Sequence, residues 1–237
     1  MLGIAGAVMV FWPDSDWEPP KRYRFELTRD SPDPGLGTRH WLVTVENDRV
    51  TSAILQDPPA GSEYIGSTLP TIEYLLAGSS FSDDETLEVT YEDGIPASFC
   101  HSLAVDPEWI TCDFVAEYTP ISAEEARLAR TWVEPASYSV TVISSSFYTQ
   151  REPDWRVFVK DGVVLDSTPI PDPEKDLDWE AETRGVGALI DVDRSTNPYW
   201  TVFWREGEPN PAGACRDDPD AWDDEGCYFF LDYEINP

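Results

Sequence analysis

Four cysteines and two histidines are the side chains of this 237-residue sequence best equipped for chemistry. Cys100 and Cys112 enclose eleven residues, and so do Cys215 and Cys227. Thiols at such spacing serve either as a disulfide or as metal ligands, and His101, with His40, would complete a soft metal site around the first pair. The second pair argues against that use. It keeps both thiols but has Arg216 where His101 would fall, and Pro153 or Asp154 near the place of His40. A metal therefore does not explain why the pair recurs, and neither a metal nor any other cofactor is expected. Of the three ways to join four cysteines, only Cys100–Cys112 with Cys215–Cys227 lets each stretch close its own bridge. A hairpin that aligns adjacent strands would bring each pair of Cα atoms within the roughly 4.4 to 6.8 Å a disulfide needs. A loop of this size is worth about 3 kcal/mol in the chain-entropy account, and such bridges belong to an oxidising compartment.

His40 and His101 are also the only imidazoles available for general-base work. His101 beside Ser102 invites a serine nucleophile, but no nucleophile-elbow motif accompanies it. No catalytic residue is assigned, and an enzyme is the less favoured expectation. Between the cysteines, Asp106-Pro-Glu-Trp109 and Asp218-Pro-Asp-Ala-Trp222 place an indole near a turn. Trp109 and Trp222 are the candidate binding residues, since an exposed indole suits protein or carbohydrate recognition. The plainer alternative has both indoles folded back over the disulfides. Asp217, Asp218, Asp220, Asp223, Asp224 and Glu225 crowd one loop and could offer oxygens to calcium, though the first pair's loop has only Asp106 and Glu108. Asp191-Val-Asp193-Arg-Ser195-Thr-Asn197 opens like a calcium loop but lacks its glycine at Thr196 and its glutamate at Val202.

The chain carries 46 acidic against 16 basic residues, a formal net charge of -30 spread from end to end. That balance cannot assemble a basic stripe, which excludes nucleic acid as a partner and disfavours anionic membranes. A protein or cation partner fits it better, on a chain expected to be monomeric. With 41% hydrophobic and 13% aromatic residues the chain is expected to fold, as an acidic surface around an apolar interior. Leu2 to Trp12 form an apolar run that ends at Pro13. It is too short for a bilayer, which needs about twenty residues. It reads either as the remnant of a signal peptide or membrane anchor, or as a buried first strand or helix. With the cysteines, the expectation is a secreted or membrane-anchored, extracytoplasmic protein with no other membrane-spanning segment.

These residues sit in an internal repeat. Trp17, Tyr23, Cys100, Cys112, Phe114 and Tyr118 recur 115 residues on as Trp132, Tyr138, Cys215, Cys227, Phe229 and Tyr233, and Trp41-Leu-Val-Thr-Val45 recurs as Trp155-Arg-Val-Phe-Val159. Within each copy the apolar period is two, the mark of strands with one face inward. Tyr23, Phe25 and Leu27 form one inward row, Trp41, Val43 and Val45 the next, and Phe114, Ala116 and Tyr118 the last. Asn47-Asp48 and Asp161-Gly162 mark tight hairpins. Thr71 to Ala77 reads as a short helix with Thr71 as N-cap and a stripe of Ile72, Leu75 and Leu76. Its counterpart, with Val186, Leu189 and Ile190, is expected to be shorter because Gly185 and Gly187 weaken it. Ser122-Ala-Glu-Glu125 is a capping box that opens a linker helix over 122–132.

The expected fold class is α+β: two tandem antiparallel β-sheet units, each with one short helix packed on its sheet. The expected division is an apolar segment 1–16, a first unit 17–120 and a second unit 121–237. Trp, Tyr-x-Phe, Trp-x-Val-x-Val with its turn, Thr-Ile-Glu-x-Leu-Leu, Val-x-Tyr-x-Asp-Gly-x-Pro and a closing aromatic strand follow one another from Trp17 to Tyr118. In this order the chain resembles the bacterial DUF6174 family, more loosely in its second copy. The resemblance implies a secreted or lipid-anchored protein and carries over no functional residue. One departure stands out: Arg29-Asp-Ser31 and Ser144-Ser-Ser146 occupy the place of a Cys-x-Cys frequent in that family. The functional expectation is a non-catalytic extracytoplasmic module with a binding or envelope-structural role. The alternatives are a hydrolase or enzyme inhibitor with a site between the units, and a calcium-binding acidic surface protein.

Overall fold

The computed structural model describes residues 18–30, 38–56, 69–77, 85–103, 106–146, 154–170, 185–190, 200–216 and 226–236. The first half supplies β1 (Arg22–Asp30), β2 (Arg39–Glu46), β3 (Val50–Gln56), α1 (Ile72–Ala77), β4 (Glu85–Glu92), β5 (Ile95–Leu103) and β6 (Asp106–Pro120). After α2 (Ala123–Leu128) come β7 (Ser137–Ser146), β8 (Asp154–Lys160), β9 (Val163–Ile170), α3 (186–190), β10 (Trp200–Arg205), β11 (Pro211–Arg216) and β12 (Gly226–Ile235).

All twelve strands belong to one sheet, in the order β4-β5-β6-β1-β2-β3-β10-β11-β12-β7-β8-β9. The second six strands repeat the order of the first six. Neighbours pair antiparallel except at the centre, where β3 and β10 run parallel. This corrects the α+β expectation of two separate sheets with a helix on each. The protein is mostly β, a single mixed sheet, and its three described helices of at most six residues are too short to form a layer. Inward and outward alternation along a strand says which face it buries, but not which strand lies beside its edge. The hint was the lost alternation in β3, where Val50, Thr51, Ser52 and Ala53 are all buried because both faces are covered.

The joint also sets the two apolar cores on opposite faces. Opposed residues of a parallel pair share a face, and Phe203 lies opposite Ala53 while Val202 lies opposite Ser52. Phe203 therefore joins the first core, with Tyr23, Phe25, Leu27, Trp41, Val43, Leu55 and α1, and meets Trp41 edge-on at 5.8 Å. Val202 joins the second core, with Tyr138, Val140, Val157, Val159, Phe230 and α3. Helix α2 crosses the back of the first core, where Ser52 Oγ donates to the Ala129 carbonyl at 2.7 Å and Arg130 pairs with Glu46 at 3.0 Å.

The local expectations hold in kind and shift in extent. Asn47, Asp48, Asp161 and Gly162 all have positive φ, the backbone a two-residue hairpin of this type requires. Thr71 caps α1, its Oγ1 accepting the Tyr74 amide at 3.1 Å. Ser122 and Glu125 form the reciprocal capping box, but α2 stops at Leu128 rather than Trp132. The inward row expected in β6 is also corrected: Phe114 and Ala116 face water, while Val115 and Tyr118 face the core. A bulge at Glu117, with φ of 48°, inserts one residue and reverses the alternation. Asp232 does the same in β12, with φ of 51°, turning Phe230 and Tyr233 inward.

Candidate functional site

The cysteines form two cross-strand bridges. Cys100 lies directly opposite Cys112 across β5 and β6, with Cα atoms 4.2 Å apart, and Cys215 lies opposite Cys227 across β11 and β12 at 4.1 Å. Their surroundings differ. Both bridges sit on the back of their own half, but the reversal at the joint turns the back of the second half toward the first core. Cys215 is consequently buried in that core, with Cys227 packed at its edge, while Cys100 and Cys112 are only half-buried.

The histidines are scattered. His40 is exposed on β2, its Nδ1 2.9 Å from Thr28 Oγ1, and His101 lies on β5, with β6 and β1 between the two strands. Ser102 does not turn toward its neighbour. Consecutive strand residues point to opposite faces, and Ser102 Oγ pairs with Thr86 Oγ1 at 2.6 Å. Among the described residues no group of three or more His, Cys, Asp or Glu is placed to hold a metal ion. Trp109 falls within β6, so the turn expected over Asp106–Trp109 is strand. Trp222, the acidic loop 217–225, the 191–197 stretch and the apolar run 2–12 lie outside the described residues.

What the fold brings together is a buried pairing of tyrosine and carboxylate, once in each half. In the first, the Tyr23 hydroxyl donates to Glu73 Oε2 at 2.5 Å, and the Tyr118 ring, turned inward by its bulge, lies 5.4 Å from the Tyr23 ring. Glu73 Oε1 is buried with no hydrogen-bond partner among the described residues. In the second, the Tyr138 hydroxyl donates to Glu134 Oε1 at 2.7 Å and accepts the Val186 amide at 3.1 Å, with the Tyr233 ring at 6.0 Å and the Trp132 ring edge-on at 5.7 Å.

The two carboxylates reach matching tyrosines from different places in the chain. Glu73 stands on α1, one residue after Ile72. The corresponding residue after Val186 is Gly187, and Glu134, from the segment before β7, fills the space that glycine leaves. A methyl group at Gly187 would collide with the Glu134 carboxylate. In the repeat register Glu134 answers to Pro19, so alignment of the halves conceals the exchange.

The chemistry of these sites follows from their electrostatics. Burial first, then the hydrogen bond and charge of Glu73, push the Tyr23 hydroxyl far above its ordinary phenol value. Burial and then Glu134 do the same to Tyr138. Tyr118 is pushed up to about 12, by burial and then Glu73. Tyr233 rises too, through burial, then Tyr138 and Glu134. Hydroxyls held protonated in this way do not act as bases or nucleophiles near neutral pH, and those of Tyr23 and Tyr138 donate to their carboxylates. In the second half, the tyrosine that binds the carboxylate also accepts the first amide of the helix, which pins α3 to β7.

Sequence reasoning missed Glu73 and Glu134. The available signal was the recurrence of tyrosine, rather than phenylalanine, at inward positions 23 and 138. A buried phenol needs a partner for its hydroxyl. Comparison with known proteins adds no homologue: no family model, curated protein or solved structure matches the chain, so the DUF6174 resemblance rests on its motif residues alone.

Proposed function

We propose that this chain is a non-catalytic, extracytoplasmic β module with a binding or structural role at the cell envelope, related to the DUF6174 proteins it resembles. One observation carries the reading: the most reactive side chains of the described residues are engaged in holding the sheet together. Four cysteines form two bridges, and Tyr23 and Tyr138 are tied to Glu73 and Glu134 with their hydroxyls held protonated. Disulfides support an oxidising environment, and no helix among the described residues is long and apolar enough to cross a membrane. A hydrolase with its site between the halves finds less support at the centre of the sheet. There β3 and β10 are hydrogen-bonded to each other, and Trp41 and Phe203 fill the space beside them.

Two measurements test this. Alkylation of the protein in intact native cells, before and after reduction, is expected to label thiols only after reduction; free thiols in the native state would overturn the compartment. Incubation of the oxidised protein with chromogenic carboxyl, phosphate and glycosyl esters and a peptide amide is expected to show no turnover above buffer. Turnover lost in H101A or S102A would overturn the non-catalytic reading.

A further inference from the structure

The joint at the centre of the sheet is made from two unlike edges, β3 of the first half and β10 of the second. In the repeat register β3 corresponds to β9, and β10 corresponds to β4. Among the described residues β9 and β4 are the two end strands of the sheet. The molecule therefore ends in the same two edges that it joins at its middle. A contact of this head-to-tail kind, repeated between molecules, does not close on itself and gives an open chain of subunits.

Residue by residue, the outer edges differ from the joint at the positions that make it. Ser52 is 1% exposed at the joint, where its Oγ also meets the Ala129 carbonyl after α2, and its counterpart on β9 is Asp166, an exposed charged residue on the edge strand. The Leu55 carbonyl accepts the Glu206 amide at 3.0 Å, so the N–H of Leu55 faces β10 as well. Its counterpart Pro169 has no N–H to offer. On the other edge, Thr201 Oγ1 donates to the Val50 carbonyl at 2.8 Å, whereas its counterpart Glu88 would set a carboxylate against a carbonyl. Phe203 seats against Trp41, and its counterpart Thr90 would leave that seat empty beside Trp155. Arg205 answers to Glu92. Trp155 is half-buried where Trp41 is 3% exposed, and Val163 and Leu165 on β9 stand more than half exposed. Ala53, Ile54 and Leu55 of the joint answer to Ser167, Thr168 and Pro169, so of its apolar residues only the indole seat persists beside β9, as Trp155.

We propose that β9 and β4 form a latent homotypic interface, the β3·β10 joint repeated between two copies of this chain, and that Asp166 and Pro169 on one edge and Glu88, Thr90 and Glu92 on the other keep it open. Charges and proline on edge strands are general devices against unwanted sheet extension. Here they stand where this chain's own joint shows that a partner strand would bind.

The unlike edges allow a test that separates this pairing from ordinary aggregation. One full-length variant repairs β9 (D166S/P169L) and another repairs β4 (E88T/T90F/E92R). By light scattering after size exclusion, each alone and the native chain are expected to run as monomers. Their equimolar mixture is expected to give a one-to-one complex of doubled mass, and a chain carrying all five changes to give longer open oligomers. Retained thermal unfolding checks the fold of each variant. Should T90F prevent folding, E88T/E92R with D166S/P169L is expected to give a weaker complex of the same stoichiometry. A mixture of folded variants that stays monomeric would overturn the proposal. So would self-association of either variant alone to the same extent, or a native chain already associated through these edges.

Discussion

The two halves of the sheet solve one problem in two ways. Each buries a tyrosine on its first strand and must supply a partner for the hydroxyl. The first half does so from α1, with Glu73; the second leaves Gly187 at that place and brings Glu134 from the chain before β7. The difference shows that the fold depends on a carboxylate at a point in space rather than on a residue at a point in the sequence. The bridges teach the same from the other side: chemically identical, they differ in burial because the parallel joint turns one half over.

The largest test of that contrast is removal of each bridge. C100S/C112S is expected to cost about 3 kcal/mol in urea unfolding. C215S/C227S is expected to cost more, about 4 to 5 kcal/mol, because it also places hydroxyls against the first core. Equal costs would break the contrast. In graded reductant the half-buried Cys100–Cys112 bridge is expected to open first, as read by peptide mapping after alkylation.

Next in size, G187A is expected to cost about 2 kcal/mol, since the added methyl displaces Glu134 and leaves Tyr138 without its acceptor. G187E/E134A, which copies the arrangement of the first half, is expected to recover much of that loss. Failure of this rescue while the single variant is destabilised would show that the two arrangements are not equivalent.

Removing the hydroxyls sharpens the comparison further. Y23F and Y138F are each expected to cost about 1 to 2 kcal/mol. Y23F has the larger effect, because Glu73 Oε1 is already buried without a partner among the described residues and Oε2 would join it. These phenols have folded pKa values above their unfolded value of about 10, so the unfolded chain releases their protons first. Their stabilisation is complete below pH 10 and declines as pH rises through 12 and beyond. Melting temperature is expected to fall over that range, less steeply in the Phe variants. Absorbance titration of the native protein is expected to show a set of tyrosines that ionise only with unfolding.

The smallest effect is expected from S122A, which removes the capping hydroxyl of α2 at about 1 kcal/mol. Because α2 packs behind the first core, hydrogen exchange is expected to quicken at β1 and β2 while β7 and β8 are unchanged.

Much of this was legible in the residues. The alternation along Tyr23–Leu27 and Trp41–Val45, the turns at Asn47-Asp48 and Asp161-Gly162, the caps at Thr71 and Ser122 and the pairing of the cysteines are local or nearly local choices. Backbone geometry and side-chain type decide them within a few residues. The bulge at Glu117 was not legible, because glutamate rarely takes positive φ; Asp232 is of a type that tolerates it, but the unbroken alternation of Phe229, Leu231 and Tyr233 gave no mark of a bulge there. The tyrosine–carboxylate pairs were half legible: the phenols repeat, but their acceptors come from unrelated positions.

By itself the sequence determined the strands, the hairpin partners and the bridge within each half, since contacts between neighbouring segments follow from periodicity and turn chemistry. Tertiary structure alone decided that β3 meets β10 in parallel, that the cores lie on opposite faces and that Glu134 stands in for Glu73. The joint pairs residues far apart in the chain, such as Ser52 with Val202, and Glu134 holds the nearby Tyr138 only because Gly187 leaves it room; such choices depend on which edges and cavities remain once the local structure has formed.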